Sequence, residues 1–141
     1  MRWRTALLAS VGVLSLGAAS AAAAIPRAEL QDAQAVAADR FGEPCSDPVS
    51  VRFHVLRHDT LGMARWRGMW DIPPAEREDC TVLLNSRKSW NWRTLCTTVV
   101  HEYGHLAGRH HDGTDSSVMH ATYTRAYKGC VRGEAARRWD D

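Results

Sequence analysis

"HEYGHLAGRHH", residues 101–111, places His101 and His105 four residues apart, with Glu102 between them, Gly108 after them and His111 at the end. The residues leading into it, Trp92 to Leu106, carry a helical period: Leu95, Val99, Tyr103 and Leu106 fall on one stripe, and His101 and His105 fall on the other side. On such a helix the two imidazoles stand one turn apart and reach a single Zn²⁺ at ~2.0–2.1 Å each. Glu102 is rotated off the line joining them. Its carboxylate suits a general base acting on water rather than a third ligand. Gly108, which can take a left-handed conformation, supplies a sharp turn that brings His111 back to the metal.

Working outward, "CTVLLNS" from Cys80 to Ser86 and "GMARWRG" from Gly62 to Gly68 read as strands, with the proline-bearing "DIPPAERED" looping between them. "VSVRFHVL" alternates: Val49, Val51, Phe53 and Val55 form one face, while Ser50, Arg52 and His54 form the other, so His54 is expected to face solvent. Pro26 opens an earlier helix with Leu30, Ala33, Ala37 and Phe41 on one face, and Gly42 and Pro44 stop it. Together these elements predict an α+β domain. Trp66, Trp70, Trp90 and Trp92 are expected to pack rather than form a binding ledge, because indole rings contribute so much burial area.

The chain of 141 residues opens with Arg2 and Arg4, a small-residue and apolar run, and then Ala22, Ala23 and Ala24. This is the grammar of a secretory signal, so residues 1–24 are expected to be removed and residues 25–141 to form one exported domain. Residues 1–24 hold two of the 18 Lys and Arg and none of the 16 Asp and Glu, so the remainder balances 16 against 16. A neutral chain without a long basic run offers no electrostatic footprint for nucleic acid or anionic lipid. No nucleic-acid partner and no stable membrane association are therefore expected, and the domain is expected to be a monomer. Cys45, Cys80, Cys96 and Cys130 form an even set in an exported chain, which predicts two disulfides. Three pairings are open; Cys45 with Cys80 and Cys96 with Cys130 would staple the two halves separately. A four-cysteine zinc site is disfavoured, since no CxxC pair occurs.

The run His101-Glu102-x-x-His105-x-x-Gly108-x-x-His111 resembles the long zinc-binding consensus of metzincin metalloproteases. Its five fixed letters would coincide by chance on the order of once in ten thousand chains of this composition. Gly104 and the spacing from His111 to Met119 are most similar to matrixins, although Asp112 stands where matrixins usually carry serine or threonine. The resemblance implies a small domain with a twisted mixed sheet, an active-site helix and a Met-turn at Met119. It further implies an edge strand, assigned to Cys80–Ser86, that pairs with an extended peptide or protein substrate, and transition-state support from Tyr123. The expected activity is that of a secreted zinc-dependent endopeptidase with one catalytic Zn²⁺ on His101, His105 and His111 and with Glu102 as base. The alternatives are a secreted zinc-binding or interaction module without turnover, and a zinc hydrolase acting on a non-peptide bond.

Overall fold

The computed structural model describes residues 25–69, 71–114, 117–122 and 125–132. The expected signal segment, Trp70 and Tyr123 lie outside the described residues.

Two helices pack beside a three-stranded mixed sheet, so the α+β expectation is met. Helix α1, Arg27–Phe41, begins after Pro26 and ends where Gly42, at φ 72°, returns its N–H to Ala38 O. Ala33 and Ala37 are fully buried on its inner face, with Leu30 and Phe41 packed alongside. Helix α2, Trp92–Leu106, is capped by Asn91, whose Oδ1 accepts from Thr94 N at 3.0 Å. Leu95, Val99 and Leu106 are fully buried and Tyr103 nearly so, as the helical stripe predicts.

The strands are β1, Ser50–His54, β2, Gly62–Arg67, and β3, Glu78–Asn85. β3 lies in the middle, parallel to β1 and antiparallel to β2. This corrects the expectation that Cys80–Ser86 is the edge strand. The run from Cys80 to Asn85 is buried on both faces, and a near-continuous Val/Leu sequence is the mark of a central strand rather than an edge. Cys80, Val82 and Leu84 join the core formed with α1 and α2.

β1 departs from its expected pattern in the same sense. Val49 is buried and Val51 half-buried, but Phe53 and Val55 are 36% and 55% exposed. Phe53, on an outer strand of the sheet, meets Trp90 edge-on, with ring centroids 6.3 Å apart. His54 is exposed, as expected.

Two disulfides form, Cys45–Cys80 and Cys96–Cys130, the pairing that staples the two halves separately. Such bonds belong to an oxidising, extracellular type of environment. Among the described residues no helix is long and apolar enough to cross a membrane.

Candidate metal centre

The last turn of α2 and the segment after it build the site. Gly108 adopts φ 79°. Its N–H reaches His105 O at 3.0 Å and Arg109 N reaches Gly104 O at 2.8 Å, the paired bonds of a Schellman stop. The reversal turns the Arg109 carbonyl to accept the Nδ1–H of His105 at 2.9 Å. His101 donates its Nδ1–H to Val118 O at 2.6 Å. Each bond fixes a neutral tautomer with the Nε2 lone pair facing the site.

The three Nε2 atoms converge. His101 and His105 are 3.1 Å apart, His105 and His111 3.1 Å, and His101 and His111 3.2 Å. A tetrahedral ion with ~2.0–2.1 Å bonds wants its nitrogens about 3.3 Å apart, so the triangle fits a single small cation. With the Nδ1 protons of His101 and His105 spent on carbonyls, their facing lone pairs repel unless a cation lies between them. His101, His105 and His111 therefore form a group that can bind a metal ion. Burial, helped by the neighbouring His105 and His111 and opposed by the bond to Val118, holds the His101 pKa down to about 4. Burial, with His111 and His110 beside it, also lowers that of His105. Low imidazole basicity favours metal over proton.

Glu102 lies at the same centre, 6% exposed. Burial pushes its pKa up to about 7, against the pull of the Ala64 N–H that its carboxylate accepts. The register explains that bond. Asn85 N donates to Leu61 O, and alternation along the antiparallel ladder then turns the N–H and C=O of Gly62 and Ala64 away from β3. Gly62 has to be glycine here, since a Cβ would sit 2.8 Å from Glu102 Oε1 and closer still to Thr98.

Met119 is buried, its Sδ set against Gly104, where any Cβ would overlap it. Asp112 shapes the segment between His111 and Met119. Its N–H reaches Met119 O at 3.2 Å, and its carboxylate accepts from Ser117 Oγ at 2.6 Å and from Thr114 N at 3.2 Å. The Ser117 hydroxyl in turn keeps the Asp112 carboxyl below its ordinary range.

A cleft of about 750 Å³ opens over the group, with Leu61, Gly62, Ala64, Trp66, Ala121 and Thr122 among its walls. Trp66, Trp90 and Trp92 pack half-buried against the core, as expected, and Trp66 also forms cleft wall. Two residues that sequence reasoning passed over support the site. Asn85, fully buried, donates through Nδ2 to Arg57 O and Thr60 O and so holds the loop before β2. Arg77, 5% exposed, donates through Nη1 to His105 O and Leu106 O. Neither had a periodic signal. Comparison with known proteins returns no matching family model, no matching curated relative and no matching solved structure.

Proposed function

We propose that the protein is a secreted, zinc-dependent endopeptidase similar to the metzincins. One juxtaposition carries the reading: three converging imidazole nitrogens, a buried carboxylate beside them and, along one cleft wall, the β2 edge, which no other strand covers among the described residues. Zinc on three neutral imidazoles supplies Lewis acidity, acidifying water and polarising a carbonyl. Metal binding alone has no use for Glu102, which makes no ligand contact in the histidine group.

The chain's own groups divide the work. The edge of β2 offers outward C=O and N–H groups at Gly62, and the outward C=O of Ala64, to an extended peptide, which adds to the sheet beside the histidines. This gives β2 the role first expected of Cys80–Ser86. The Ala64 N–H orients the Glu102 carboxylate. Placed beside the histidine group and held by the Ala64 N–H, Glu102 is the group to take the proton of the attacking water and pass it to the leaving amine. Met119, its Sδ against Gly104 of α2, is proposed as an apolar floor of the Met-turn kind, and Tyr123 as transition-state support.

The test is metal analysis of the purified protein, followed by incubation with unfolded protein substrates with and without chelator. About one zinc per chain and chelator-sensitive cleavage are expected, and Glu102→Gln should keep the metal while losing at least ~10²-fold in activity. A zinc-loaded protein that cleaves no peptide would leave the non-catalytic binding module as the better reading.

A further inference from the structure

We infer that Arg77 is a positioning residue for the metal centre, locking the turn that delivers two of the three histidines. The inference rests on the metal reading above. Arg77 stands between the short helical turn Pro74–Glu76 and β3, and it is 5% exposed. Its Nη1 donates to His105 O at 3.1 Å and to Leu106 O at 2.7 Å, while Nε donates to Ile72 O at 3.2 Å. The guanidinium also stacks on Trp66, with Cζ 4.1 Å from the ring centroid.

The last carbonyls of a helix have no partner within it and carry the negative end of its dipole, so a buried cation is matched to them. Burying an arginine is costly, and an apolar residue would fill the same space more cheaply, which makes its donors the reason for it. Those donors fall on His105 itself and on the residue after it. From this point the chain makes its Schellman reversal, the Arg109 carbonyl fixes the His105 ring, and His111 follows two residues later. His101 is anchored separately, by Val118 O. The stack on Trp66 extends the same constraint to β2, the strand that carries the Ala64 N–H to Glu102. Behind Arg77, its own carbonyl accepts from Ser46 N at 3.0 Å and Ser46 Oγ at 2.9 Å, next to the Cys45–Cys80 bond. One residue thus joins the helix end and the cleft wall through its side chain and the disulfide loop through its carbonyl.

The test is zinc affinity, measured by competition with a chromophoric chelator, together with the visible spectrum of the Co²⁺-loaded protein. Arg77→Met keeps the bulk but removes the donors. It should bind zinc about 10–100-fold more weakly and shift the Co²⁺ bands, with both disulfides formed and native circular dichroism. Arg77→Lys should be intermediate, because an ammonium can reach the helix end but cannot bridge it to Ile72 O with a planar fork. Val49→Ala, a core truncation just before β1 that removes no hydrogen bond to the turn, should keep native affinity. Folded Arg77→Met binding zinc within about twofold of the native protein would overturn the inference. If Arg77→Met does not fold, Arg77→Lys decides, and native affinity with an unshifted Co²⁺ spectrum overturns it. A native protein that binds no zinc at all overturns the metal reading itself, and this inference with it.

Discussion

Glu102 and His101 are neighbours in the chain, and burial moves their acidities in opposite directions. Glu102 rises from 4.5 to about 7 and His101 falls from 6.5 to about 4. Without metal, each shift becomes a dependence of stability on pH. For Glu102 the folded state holds a proton that the unfolded chain has already released, so stability is lost as pH climbs from about 4.5 to about 7. For His101 the unfolded chain takes up a proton that the folded state refuses, so stability is lost as pH drops from about 6.5 to about 4. The two slopes oppose each other in native protein, which hides both. Glu102→Gln removes one. In chelator, its stability relative to native protein should grow by roughly 3 kcal/mol between pH 4 and pH 8, read from urea melts at each pH. A gap that stays constant over that range would mean that the carboxyl is not held in a desolvated place.

At the scale of elements, what the sequence revealed is set by how local each signal is. The bounds of α2 and the stop at Gly108 were legible because a helical period and a glycine are read from adjacent residues. The triangle of His101, His105 and His111 was legible for the same reason, since all three belong to one helix and the turn after it. Strand order was not. The Val82–Leu84 run is compatible with either place in a sheet by pattern alone, and only its burial on both faces makes β3 central. The role of Arg77 was also hidden, because its acceptors at the end of α2 lie 28 and 29 residues away. Disulfide pairing stood between these cases, open in sequence and closed by the packing of Cys96 and Cys130 within the core. That second bond encloses His101, His105, His111 and Met119 between its two ends, a separation of 34 residues. Replacing both cysteines by alanine should therefore cost about 2–5 kcal/mol in chelator-free urea melts. The same change should weaken apparent zinc binding, since metal is taken up only by the folded loop. A variant that loses stability but binds zinc as tightly as native protein would show that the loop holds its shape without the staple.

At the scale of the whole molecule, the described residues form a small core of three strands and two α-helices, and a metal on the histidine group would add a third closure to the two disulfides. A metal there ties α2 to the segment beyond Gly108, a connection made otherwise by hydrogen bonds such as His101 to Val118 and Asp112 to Met119. Because the three nitrogens converge only in the fold, metal binding is linked to folding. Zinc at about one hundred times its Kd should add ~2.7 kcal/mol, which for a domain of this size raises Tm by on the order of 10 °C, and chelator should reverse the rise. The pattern among variants distinguishes ligands from neighbours. Glu102→Gln should show the full rise, because its carboxylate faces Ala64 rather than joining the histidine group. His111→Ala should show almost none, whereas His110→Ala, an exposed neighbour outside that group, should behave as native protein. Differential scanning calorimetry with and without zinc makes the comparison directly. A Glu102→Gln protein that fails to gain stability from zinc would make that carboxylate a ligand, and a His110→Ala protein that fails would move the third ligand one residue back; either result would break the division of roles on which the proposed hydrolysis depends.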